Sequence, residues 1–169
     1  MESPFDGGAL GRPGEPSTST PTPIIDLAPG AEDNPVAVEL AAVIRKNIAD
    51  SPKKLVDFRG LRGSVLMVAQ DRGEALTLRF DLGRLTIHDG AVGVPSLTLC
   101  GDYEALRRLA DVPLTPWLRL PGTRPFSRQD PGSFRSLLGQ YFQGNLKIYG
   151  LAAHPRTLVR LLRIFSSRS

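Results

Sequence analysis

Few groups in this chain are equipped for chemistry, and their spacing supports little of it. The notable ones in 169 residues are His88, His154, the single cysteine Cys100, and Lys147 with Tyr149 two positions on. His88 ends an alternating segment beside Asp89, and His154 precedes Pro155 at a helix start. A metal centre needs three or four converging His, Cys or carboxylate ligands. Neither histidine has such company nearby, so each is expected as a surface or capping residue, and no metal is expected. A lysine–tyrosine pair suits an oxidoreductase when a cofactor is bound. The chain carries no dinucleotide fingerprint, P-loop or Gly-x-Ser-x-Gly elbow, so Lys147 and Tyr149 read as the solvated face of a strand. Asp102 and Glu104 read as a helix N-cap and a first-turn charge. No catalytic residue and no cofactor are expected, and an enzyme is the reading least favoured.

The elements that position these groups follow from hydrophobic periodicity. Residues 1–34 are rich in Pro, Gly, Ser and Thr, with Pro16 to Pro23 at the centre. They read as a disordered acidic tail, because so little apolar area cannot offset the entropy of ordering. Ile24, Ile25 and Leu27 offer a short docking patch as the alternative, but composition favours a bare linker. Asn34-Pro35 carries the N-cap and first-turn signal of a helix to about Asp50, with Val36, Leu40, Val43, Ile44 and Ile48 at helical spacing. Ser51-Pro52 repeats the start signal. Strands are expected over 64–70, 75–81, 84–88 and 96–100, separated by Asp71-Arg72-Gly73, Leu82-Gly83 and Asp89-Gly90. Their period of two implies one buried and one wet face. Cys100, at the end of the last of these, is expected as a buried inert thiol. A helix follows from Asp102, with Leu106 and Leu109 on its apolar stripe. Residues 113–131 form a Pro/Gly-rich loop carrying Trp117. A short helix over 133–142 bears Leu138, Tyr141 and Phe142. A fifth strand, 145–149, leads to a last helix with Leu158, Leu161, Leu162 and Phe165 on one side and Arg156, Arg160 and Arg163 on the other.

Composition bounds the function. Hydrophobic residues make up 41% and aromatics 7%, so an aliphatic core is expected in one domain, residues 35–169. One cysteine permits no intrachain disulfide. No apolar run reaches the ~18 residues of a membrane span, and the N-terminus has no signal-peptide pattern, so a cytoplasmic protein is expected. The net charge of +4 divides unevenly: residues 1–34 hold six acids and one arginine, whereas the rest carries a net of +9. Such a balance suits an anionic membrane surface or a protein partner. No nucleic-acid recognition motif accompanies it, so no nucleic-acid partner is expected.

Two segments carry a resemblance. From about Leu61 onward the chain resembles the sterol carrier protein 2 family of lipid-binding domains. The matching words are Pro95-Ser96-Leu97-Thr98-Leu99-Cys100-Gly101-Asp102-Tyr103-Glu104-Ala105-Leu106 and Tyr141-Phe142-Gln143-Gly144-Asn145-Leu146-Lys147-Ile148-Tyr149-Gly150. In the first, a strand runs into an acidic-capped helix; in the second, a glycine stop, a short strand and another glycine precede the last helix. The resemblance implies an α+β fold: a five-stranded sheet covered on one face by four to five helices. It also implies a non-catalytic role, the binding or carrying of a sterol, fatty acyl chain or similar lipid in an apolar tunnel. The loop 113–131 departs from the family's pattern, and so does the Pro-rich head.

Inward-facing positions give the candidate cavity walls: Phe80, Leu106, Leu109, Trp117, Leu138, Tyr141, Phe142, Leu158, Leu162 and Phe165. Arg156, Arg160 and Arg163 are the candidates for transient contact with an anionic membrane. The alternative function is an accessory protein-interaction module of the same fold, with little lipid binding, using the tail or the 113–131 loop.

Overall fold

The computed structural model describes residues 22–111 and 145–166. The expected helix over 133–142, the loop 113–131 and most of the N-terminal tail lie outside the described residues. In chain order the elements are β1 (Ile24–Leu27), a 3-10 turn (Ala31–Asp33), α1 (Pro35–Asp50), α2 (Pro52–Arg59), β2 (Arg62–Ala69), β3 (Glu74–Asp81), β4 (Arg84–Asp89), β5 (Leu97–Gly101), α3 (Tyr103–Arg107), a second 3-10 turn (Arg108–Asp111), β6 (Leu146–Tyr149) and α4 (Pro155–Phe165).

The fold is α+β. Among the described residues the strands form one mixed sheet in the order β1-β4-β3-β2-β5-β6. The β2-β3-β4 meander is antiparallel, β5 runs parallel to β2, and β6 runs antiparallel to β5. Alternation along each strand sends Val65, Leu78, Phe80, Leu85, Ile87, Leu97 and Leu99 into a single core under the helices. The five expected strands are all present. The sixth, β1, corrects the tail boundary: residues 24–33 belong to the folded unit. Ile24 to Leu27 pair in parallel with Arg84 to Ile87, Ile25 is buried, and Arg84 bonds Asp26 at 2.7 Å. The apolar patch therefore docks on the chain's own sheet edge. Arg45 of α1 donates to the Ile25 carbonyl at 2.6 Å, tying β1 to the helix above it.

Local chemistry explains the helix starts. Asn34 Oδ1 accepts from the Val36 and Ala37 amides at 2.9 and 3.3 Å, and Pro35 occupies the first turn. Asn34 Nδ2 also reaches Asp89 Oδ1 at 2.8 Å, pinning α1 to the end of β4. Ser51 sits at the N-cap of α2 without a side-chain cap bond. Among α4's residues, Leu158, Leu161, Leu162 and Phe165 are buried as their spacing requires. Gly150, at φ +82°, turns the chain out of β6 toward that helix.

The outer sheet face is partly covered. The connection from β4 to β5 crosses it, held where Thr77 Oγ1 donates to the Gly90 carbonyl at 2.8 Å and accepts from the Val92 amide at 2.9 Å. Thr77 is consequently 2% exposed although it points away from the core. Cys100, also on this face, is half-buried rather than buried, because its neighbour Leu99 takes the inward position.

The β3–β4 hairpin turns through Leu82 (φ 45°) and Gly83 (φ 98°). Two left-handed residues define the turn type that favours Asn-Gly, and a left-handed non-glycine residue costs roughly 1–2 kcal/mol. Leu82 is 51% exposed and has little packing to lose. Leu82→Asn is expected to stabilise the protein by ~0.5–1 kcal/mol in urea unfolding. A lowered midpoint would contradict this account of the turn.

Candidate functional site

A cavity of about 130 Å³ lies between α1, the β2–β3 end of the sheet, α3 and the C-terminus of α4. Its α1 wall is Val36, Leu40 and Val43, at i, i+4 and i+7 on one helix stripe. A neighbouring stripe, Ala37, Ala41, Ile44 and Ile48, is fully buried in the core. Small side chains thus seat the helix, and the larger ones stand over a space they do not fill. Val43 remains 37% exposed. The floor is Met67 and Leu76, which flank each other across the β2–β3 ladder. Leu106 of α3 and Phe165 of α4 close the side.

Four polar residues complete the lining: Glu39, Glu74, Tyr103 and Arg107. The turn between β2 and β3 is tied to the start of α3, which carries Tyr103. Gln70 donates its amide to the Gly101 carbonyl at 2.9 Å, and Asp71 Oδ1 accepts from the Tyr103 amide at 2.8 Å. The Arg72 guanidinium stacks 3.5 Å from the centre of the Tyr103 ring, a cation–π contact. Asp71, reaching across from the turn, therefore supplies the cap bond at the α3 start. Asp102 occupies the N-cap position but makes no side-chain cap bond, which corrects its expected role.

Phe165 is held from behind. Asn47 Nδ2 donates to the Ile164 and Phe165 carbonyls at 2.9 and 3.1 Å, and Lys54 Nζ donates to the Ser166 carbonyl. These are last-turn carbonyls that the helix cannot pair internally. Burial lowers the Lys54 pKa, partly opposed by the charge of Asp50.

Of the ten wall residues expected from sequence, Leu106 and Phe165 line the cavity. Phe80, Leu109, Leu158 and Leu162 are close-packed in the core and do not line it; Phe80 meets Phe58 edge-on at 6.2 Å. Trp117, Leu138, Tyr141 and Phe142 lie outside the described residues. Of the three arginines, Arg156 is exposed. Arg163 donates to both Asp57 oxygens at 3.1 Å, and Arg160 donates to the Gly60 carbonyl, so both help fasten α4 to α2. Lys147 and Tyr149 face outward on β6 as expected, with Leu146 and Ile148 half-buried. His154 stands at the N-cap of α4 without a cap bond. The α1 wall was visible in the sequence as an apolar surface wider than one contact stripe.

No family model matches the chain, and no curated protein matches it. Solved structures do. One is the UbiJ-SCP2 ubiquinone synthesis protein, at 14% identity and a TM-score of 0.52, covering 77% of this chain and 92% of that one. The fold is SCP2-like. A conserved hypothetical protein of Thermus thermophilus, described as possibly a sterol carrier protein, aligns at 13% identity and a TM-score of 0.37 over 73% of this chain and 84% of that one. Relative to the five-stranded expectation, this SCP2-like domain carries β1 as an added edge strand. Among the described residues no helix is long and apolar enough to cross a membrane.

Losing the Asn47 bonds would leave two buried carbonyls short of a donor. Asn47→Ala is expected to cost ~1–3 kcal/mol in denaturant unfolding. A loss below ~0.5 kcal/mol would show that the α4 terminus does not depend on them.

Proposed function

We propose that this SCP2-like domain binds an amphiphilic lipid without transforming it, with an apolar end of the ligand seated in the cavity between α1 and the sheet. The observation that carries this reading is the wall itself. Val36, Leu40, Val43, Met67, Leu76, Leu106 and Phe165 are apolar and surround a space that none of them fills. A dry apolar cavity of comparable size, ~150 Å³, accommodates a benzene-sized molecule. Among the described lining residues there is no Ser, Cys or His to form a nucleophile–base pair. That composition supports binding rather than catalysis.

Size sets the mode of binding. A group of about six carbons, at ~0.8 kcal/mol each, gains roughly 5 kcal/mol by burial. Association costs on the order of 4–15 kcal/mol. The cavity therefore orients one end of the ligand, and useful affinity comes from further apolar contact beyond it, along half-exposed residues such as Leu40 and Val43. The neighbour named for ubiquinone synthesis adds a quinone-type lipid to the ligands worth testing, beside sterols and acyl chains.

Displacement of a neutral fluorescent probe by alkyl ligands of increasing length tests this. Each additional pair of covered methylenes is expected to tighten binding about tenfold, until the chain emerges into water. Met67→Trp, which fills the floor with a residue that strands accept, is expected to abolish saturable binding while the far-ultraviolet circular dichroism is kept. Unchanged binding in Met67→Trp would remove the cavity from the function.

A further inference from the structure

We propose that the cavity selects amphiphiles by a hydrogen-bond-donating head, such as a hydroxyl, recognised by Glu74; this rests on the lipid-binding reading above. Glu74 opens β3, directly opposite Ala69 on β2, and both line the cavity. One of its carboxyl oxygens, Oε2, is shielded from solvent and has no hydrogen-bond partner. None of the ion pairs among the described residues involves Glu74, although Arg107 lines the same cavity. A buried acceptor without a donor is costly, and folded proteins seldom leave one. Glu74 itself lines this largely apolar space, and a rotation of its carboxyl group would turn Oε2 toward the head of a ligand whose tail lies along Val36, Leu40 and Met67.

The charge of the lining decides which heads fit. Glu39 and Glu74 contribute two carboxyl groups against the single guanidinium of Arg107. A fatty acid would bring a third carboxylate to this lining, with no donor for Glu74. A hydroxyl gives Glu74 the missing hydrogen bond and adds no charge. Tyr103, whose amide bonds Asp71 and whose ring carries the Arg72 guanidinium, lines the same cavity. The ligand class is therefore an apolar molecule with a neutral donor head: an alcohol, a phenol or a hydroxylated sterol, in preference to a free fatty acid or an ether.

Competition by 1-decanol, decyl methyl ether and decanoate against a neutral fluorescent probe tests the inference on the full chain. The three share a tail and differ in the head. Decanol is expected to bind about tenfold more tightly than the ether, the worth of a hydrogen bond to a charged group, and more tightly than decanoate. In Glu74→Leu the alcohol and the ether are expected to converge, with ether affinity retained. In Glu74→Gln, which keeps an acceptor, the alcohol's advantage is expected to persist in part, and decanoate to improve. Equal affinities for alcohol and ether in the natural protein, or an alcohol preference surviving in Glu74→Leu, overturn this inference and leave lipid binding intact. If none of the three ligands binds, lipid binding falls and the head preference with it.

Discussion

The seating of α1 on the sheet is the contact on which the remaining geometry depends. Ala37 and Ala41 are fully buried at this contact, and being small they let the helix approach closely. The helix rests over the β1–β4 side, where Asn34 reaches Asp89 and Arg45 reaches the Ile25 carbonyl. So placed, it carries Val36, Leu40 and Val43 out over β2 and β3, where no other described helix fills the gap. The edge strand β1 matters for this reason. Without its four residues the sheet would end at β4, and α1 would lose the Arg45 tie to strand β1.

A second constraint acts from the far side. The C-terminus of α4 is anchored by Asn47 and Lys54, one from each of the first two helices. Asp57 binds Arg163 with both oxygens and lies 3.9 Å from Arg160 Nε. These polar contacts are partly or wholly buried and span more than 100 residues of sequence, so they fix the helix layer as a unit. Phe165 is thereby held at the cavity edge rather than collapsing into it. A hollow survives in this domain because three fastened elements surround it, each with its own reason to stay in place.

The strands and the last helix were legible in the sequence. Their periods are clean: Leu76, Leu78 and Phe80 alternate, and Leu158, Leu161, Leu162 and Phe165 repeat at helical spacing. β1 was not, because its four residues follow a Pro-rich stretch and its partner is some 60 positions away in sequence. A parallel pairing at that distance leaves no local trace beyond a few apolar residues. The cavity was half legible. Leu106 and Phe165 were identified from their inward faces, yet Phe80, Leu109, Leu158 and Leu162 have the same signature and pack solidly. The Asp71 cap arises from a turn meeting a helix start, and the unpaired Glu74 oxygen from tertiary burial; spacing along the chain encodes neither.

The solved-structure likeness fixes the fold, and the wall chemistry supplies the reason to assign a ligand to it. The chain offers a direct probe of that assignment, because it holds two methionines, Met1 and Met67, and Met67 forms the cavity floor. With methionine methyl groups labelled by carbon-13, titration with decanol should shift the Met67 resonance saturably and give cross-peaks to the ligand's methylene protons. A Met67 signal that neither shifts nor shows such contacts at saturating ligand would contradict the claim that this cavity is where the lipid sits.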